Sequence, residues 1–207
     1  MKTIALVLNY EESQCYSVLK EFDKRDIVRV DRQGIGSMAK AFNEGMRMLE
    51  GRDVDYVWWI TNVEFEKGSK EKLESILIEN PEVGAVHPKF QSDHPHIRFG
   101  SGKVPFIEFT APMFRYKTLV DVGDVDELMP YWGFDFDWSY RAKCKGWELV
   151  VENEVEVWHM YSRHLMRHPV TDARLFLREY HDQGTVDRLV EKYGPGWREL
   201  MTHYLYL

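Results

Sequence analysis

The chain has 207 residues, of which 44% are hydrophobic and seven are Trp, with a formal net charge of −7. That composition suits one domain with a real core and excludes a disordered chain. The acidic balance excludes a surface built throughout for phosphate backbones, while leaving room for a local basic patch.

Thr3 to Leu8, TIALVL, is a continuous apolar run ending at Asn9. It predicts a strand buried on both faces, not a signal peptide, because Asn9, Glu11 and Glu12 interrupt it at once. Ser13 is placed to cap a short helix through Val18, Leu19 and Phe22. Ile27 to Val30 is a second strand, ending in Asp31. Beyond Gly34 and Gly36, the spacing of Met38, Ala41, Phe42, Met46 and Leu49 predicts a helix over 37–50. Tyr56 to Ile60, YVWWI, is a third buried strand. A helix over Lys70 to Glu79 stops at Asn80-Pro81, and Val83 to Val86 is a fourth strand. Gln91 to Val104 reads as a loop or irregular hairpin and Phe106 to Arg115 as a strand. Trp138 to Lys145 is helical and ends at Gly146. Glu148 to Val157 alternates as a strand does and leads to Trp158 and His159. The tail from Val170 is helical in two pieces, broken at Gly184 and at Gly194-Pro195-Gly196. Cys15 and Cys144 lie far apart without metal-type spacing and read as reduced thiols. No apolar run approaches a membrane span, so a soluble, cytoplasmic chain without stable membrane insertion is expected.

Strands alternating with helices predict an α/β domain with a mostly parallel central sheet flanked by helices. Residues 1–160 form that domain and 161–207 a helical extension packed on it. Ligands of such sheets bind beyond the carboxyl ends of the strands. That rule points to Asn9 and Tyr10, to Asp31, and to Thr61 through Glu64. A second centre is Asp121 to Ala142, dense in carboxylates and aromatics around Gly133. Asp135 and Asp137 are either a base in a semi-enclosed setting or caps of a helix N-terminus. Arg141 is placed to pair with Asp137 or with Glu148. Trp132, Phe134 and Trp138 either stack on a sugar or base or belong to the core. A basic run from Arg163 to Arg178 is either a surface for an anionic acceptor or a solvated helix face.

Four ordered pieces carry a resemblance: ALVLNY at 5–10, GIGSMAKAFNEGM at 34–46, the stretch from YVWWITNVEF to GAVHPKF at 56–90, and VDVGDVDELMPYWGFDFDWSYRAKCKGWELV at 120–150. Over about residues 3–160 the chain resembles the inverting family 2 glycosyltransferases with a GT-A fold, in their rhamnosyltransferase-like branch. The resemblance implies transfer of a sugar from a nucleotide-diphosphate sugar of UDP, dTDP or GDP type to an acceptor hydroxyl, with inversion. It makes Asp135 the base. It places Asn62, Glu64 and His159 around Mn²⁺ or Mg²⁺, and Asn9, Tyr10, Asp31 and Asn43 at the nucleotide. Trp132, Phe134, Asp137 and Trp138 fall on the acceptor side. The acceptor is a saccharide by family default, with a modified DNA base as the other candidate. Two departures stand out. The usual Asp-x-Asp of the metal turn is Asn62-Val63-Glu64, which carries less negative charge and weakens or removes metal dependence. The usual Glu-Asp pair is Phe134-Asp135. The altered turn motivates a rival reading, a non-catalytic module of the same fold that binds a glycan or nucleotide.

Overall fold

The computed structural model describes residues 1–9, 16–31, 37–61, 63–90, 102–159 and 183–202. Tyr10, Ser13, Asn62, Gln91 to Ser101 and the basic run from Arg163 to Arg178 lie outside them. In chain order the elements are β1 (Thr3–Asn9), α1 (Tyr16–Glu21), β2 (Ile27–Asp31), α2 (Met38–Arg47), β3 (Tyr56–Ile60), β4 (Val63–Phe65), α3 (Ser69–Glu79), β5 (Val83–Phe90), β6 (Gly102–Val104), β7 (Met113–Arg115), α4 (Tyr116–Val122), α5 (Phe134–Cys144), β8 (Glu148–His159), α6 (Gln183–Tyr193) and α7 (Trp197–Thr202).

One sheet runs β2-β1-β3-β7-β5-β8-β4, and β6 also pairs with β8. The three longest ladders, β1 with β2, β1 with β3 and β5 with β8, are parallel. The shorter strands β7, β4 and β6 pair antiparallel. The apolar runs of β1 and β3 are explained by burial on both faces. Leu6, Leu8 and Trp59 join α2, α5 and α6 on one face. Val7, Trp58 and Ile60 join α1 and α3 on the other. Gly45 in α2 is needed for this packing, because a Cβ there would meet Leu6 Cδ2 at 2.7 Å and Val30 Cγ2 at 2.9 Å.

Two expectations are corrected. Of Phe106 to Arg115 only Met113–Arg115 is a strand; Pro112 has no N–H to give a ladder, and the indoles of Trp58 and Trp59 instead bind the Ala111 and Phe109 carbonyls, both at 2.9 Å. The acceptor-side helix begins at Phe134 rather than Trp138, because Gly133 takes a left-handed conformation (φ 81°) and starts it early. Gly184 is the second residue of α6, and the tail before Gln183 lies outside the described residues. Helix α4 and strand β4 are additions.

The carboxyl-terminal helices share the main core. Leu189 and Trp197 are buried in it, and Arg188 reaches Asp126 at 2.8 Å. Cys144 is a free, exposed thiol; Cys15 lies outside the described residues. Among the described residues no helix is long and apolar enough to cross a membrane.

Candidate functional site

Asp135 sits in the first turn of α5, half-buried. Its Oδ1 accepts the Phe136 N–H at 2.9 Å. Burial pushes its carboxyl up to about 6, and the backbone N–H groups of Phe136, Asp135 itself, Gly133 and Phe109 hold the rise in check. A carboxylate so poised is ionised at neutral pH yet basic enough to accept a proton. Glu108 stands beside it. Burial and the Asp135 charge push Glu108 up to about 8. Sequence reasoning missed Glu108. The available signal was a lone carboxylate within the apolar stretch FIEFTAPMF, a place where an acid is rarely buried without a task.

The structure moves the other residues of this region away from ligand binding. Asn43, expected at the nucleotide, is 1% exposed on α2. Its Nδ2 donates to the Val125 carbonyl and to Glu127, and its Oδ1 accepts the Val125 N–H, all at 3.0 Å. It fastens the loop before α5 to α2. Asn43→Ala should therefore destabilise the fold by about 2–3 kcal/mol, because it strands buried backbone groups. A melting curve checks this, and an unchanged midpoint together with lost nucleotide binding would restore the nucleotide role. Asp137, expected on the acceptor side, is wholly buried. It binds Arg141 Nε at 3.0 Å, the Tyr193 hydroxyl at 2.6 Å and Lys192. Phe134 and Trp138, placed with it, are core residues packed edge-on against Phe109, with Trp138 also against Phe114. Their burial leaves no ring face for a sugar. Trp132 is half-buried and lies 6.3 Å from the Trp197 ring.

The strand ends gather the remaining candidates by backbone alone. Asn9 and Asp31 are register partners at the carboxyl ends of β1 and β2. After β3 the chain passes Thr61, whose N–H and hydroxyl both bind the Thr110 carbonyl, and enters β4. There Val63 pairs with His159 and Glu64 with Trp158. Val63 and Phe65 point into the core, while Glu64 is exposed beside the exposed Trp158. A register shift in the β5–β8 ladder between Pro88 and Lys89 spans residues 152–156 of β8. It moves the buried side chains of β8 from the α5 face, at Leu149 and Val151, to the opposite face, at Val155 and Val157. Trp158 and Glu64 thereby lie on the α5 face of the sheet. Among the described residues no group of three or more His, Cys, Asp or Glu could hold a metal.

No protein-family model matches the sequence, and no curated protein matches it significantly. Solved structures do. The likeness is structural and the identities are low. The structure of GalNAc-T7 with UDP, GalNAc and Mn²⁺ matches at TM-score 0.60 and 10% identity, over 77% of this chain and 44% of that one. TarS 1-349 of S. aureus, in complex with UDP-GlcNAc, matches at 0.56 and 14%, over 78% and 61%. A197 from STIV matches at 0.55 and 13%, over 77% and 86%. The chain has the GT-A fold. It spans less than two thirds of the GalNAc-T7 and TarS structures.

Within that fold, the described geometry separates two places. One is the Asp135–Glu108 pair at the start of α5. The other is the β3–β4 turn with the end of β8. An amide oxygen, a carboxylate and an imidazole at positions 62, 64 and 159 are donors of the hardness that Mg²⁺ or Mn²⁺ takes. The β4–β8 ladder sets the backbone of Val63, between positions 62 and 64, directly across from 159.

Proposed function

We propose that this chain is an inverting glycosyltransferase that moves a sugar from a nucleoside-diphosphate sugar to an acceptor hydroxyl. The observation that carries the reading is Asp135, a half-buried carboxylate pushed up to about 6 at the start of α5. Asp135 takes the proton of the acceptor hydroxyl as that oxygen bonds to the anomeric carbon. The bond from that carbon to the diphosphate breaks, and the nucleoside diphosphate leaves with the electron pair. Attack from the face opposite the leaving group inverts the anomeric centre. Asn62, Glu64 and His159 are the residues that would hold Mn²⁺ or Mg²⁺, which when bound neutralises charge on the diphosphate. Asn9, Tyr10 and Asp31 are the nucleotide side of the site, with Asp31 a candidate acceptor for a nucleobase N–H. Trp132, half-buried near Asp135 in sequence, is the acceptor-side aromatic that retains some exposure. The acceptor is a saccharide, with a modified DNA base as the competing substrate.

The test is thermal stability against UDP, GDP, dTDP, CDP and their sugars, with and without Mn²⁺. A ligand at about a hundred times its dissociation constant stabilises by roughly 2.7 kcal/mol, a rise of several degrees for a domain of this size. Stabilisation by one nucleotide that depends on Mn²⁺ is the expected result. The exposed Glu64 and the Asn62 substitution favour a second reading, a non-catalytic module of the same fold. Measurable transfer or hydrolysis of a nucleotide sugar eliminates it.

A further inference from the structure

The amino ends of β1, β2 and β3 frame an open cleft of about 920 Å³. Lys2 and Thr3 open β1, Asp26 precedes β2 and Arg52 lies ahead of β3. The three strands are parallel, so this cleft lies at the end of the sheet away from Asn9 and Asp31. Thr3 and Phe22 are its buried residues. Lys2, Lys20, Arg52 and Lys70 stand around them.

The carboxylates in and beside the cleft are already engaged. Glu21 accepts the Gly68 N–H at 2.8 Å. Asp23 and Asp26 both pair with Arg25, at 3.4 and 3.8 Å. Glu74 accepts the Thr3 hydroxyl and pairs with Lys70 at 2.9 Å. Asp55 accepts the Lys2 backbone N–H at 2.7 Å. Among the described residues, no carboxylate pairs with Lys2 Nζ, Lys20 Nζ or the Arg52 guanidinium. Arg52 donates one N–H to the Arg25 carbonyl at 3.3 Å, which fixes its fork and leaves its other donors unused. Three cations without a counter-charge thus face one cleft, on a chain whose net charge is −7. Such a cleft focuses a local positive field against the acidic balance of the whole molecule.

We propose that this cleft binds a small phosphate-bearing anion, at a second site remote from the strand ends that carry the donor-side residues. Neither the site nor its test depends on the transferase reading. A phosphate group accepts from several donors at once. It matches the planar fork of Arg52 and the point charges of two lysines. The volume lies in the range of small-molecule sites, so it admits a phosphate ester with its organic body. Lys70 Nζ stands 5.7 Å from the centre of the Phe22 ring. Recognition here therefore runs through charge and not through an open aromatic face.

The test is ¹H–¹⁵N NMR of the full chain, titrated with inorganic tripolyphosphate without divalent metal, at an ionic strength held constant with NaCl. Saturable shifts at the amides of Lys2, Thr3, Lys20 and Arg52 are expected. The double variant Lys20→Gln with Arg52→Gln should bind about tenfold more weakly or worse. Lys24→Gln, an exposed lysine outside the cleft, should stay within about twofold of native. If the double variant loses the native spectrum, Lys20→Gln alone carries the comparison, because Lys20 is exposed. Shifts that do not saturate, or that centre on Asn9, Asp31 and Glu64, overturn the proposal. An equal loss of affinity in Lys24→Gln also overturns it, because the attraction would then be general and not the cleft's own.

Discussion

Asp135→Asn should lower kcat/KM for sugar transfer by about 10²- to 10⁴-fold, the usual contribution of a positioned general base. The fold should survive, and this separates a lost base from a lost structure. The direction of the stability change follows from the raised carboxyl. Asp135 goes from an ordinary 3.8 to about 6 on folding. Its protonated form is therefore the one the folded state favours, and that stability is present below about 4 and lost as pH rises through about 6. Glu108 acts in the same sense between 4.5 and about 8. At pH 7 the native chain thus carries an ionised, half-buried Asp135 that costs stability. The asparagine variant should melt no lower than native at pH 7, and its advantage should vanish near pH 4. Retained transfer activity in a folded Asp135→Asn would remove the base assignment and, with it, the main support for the transferase reading.

Asp137→Ala, two residues away, should do the opposite. It should unfold the protein more easily by about 3–5 kcal/mol, the cost of leaving partly buried cations without their carboxylate. For a chain of this length that is a fall of about 10 °C in the melting midpoint. Asp137 is wholly buried and joins three partners from two helices: Arg141 of α5, and Lys192 and Tyr193 of α6. Arg141 in turn binds the Val122 and Asp124 carbonyls at 2.6 and 2.8 Å. Removing Asp137 therefore loosens α6 and the loop before α5 together. Differential scanning calorimetry of the variant checks this. A native midpoint combined with weaker acceptor use would return Asp137 to the acceptor side.

The contrast between these two aspartates explains how much of the site could be read in advance. Their shared segment, rich in acids and aromatics, marks a candidate functional region, and the resemblance points to Asp135 within it. Which carboxylate faces the site and which faces the core depends on where the helix starts. That start is set by the left-handed Gly133, four residues earlier than the apolar spacing from Trp138 indicates. Phe134, Phe136 and Trp138 are all buried, so α5 is apolar on several sides and shows no clean stripe to phase it. Asn43, placed at the nucleotide by the resemblance, instead ties α2 to the loop before α5. A polar residue inside an apolar helix signals a task, and its partner, the loop at Val125, lies far along the chain.

The layout is legible in the residues alone: continuous apolar runs at β1 and β3, helices between strands, and the order of pieces that resemble the GT-A fold. Burial on both faces writes itself into local composition, so those elements are legible without neighbours. The chemistry of the two carboxyls near the start of α5 emerges on folding. Glu108 acquires its meaning from Asp135, which arrives from another element. A carboxyl's proton affinity is set by desolvation and by the charges folded against it, and neither is encoded in the residues on either side of it.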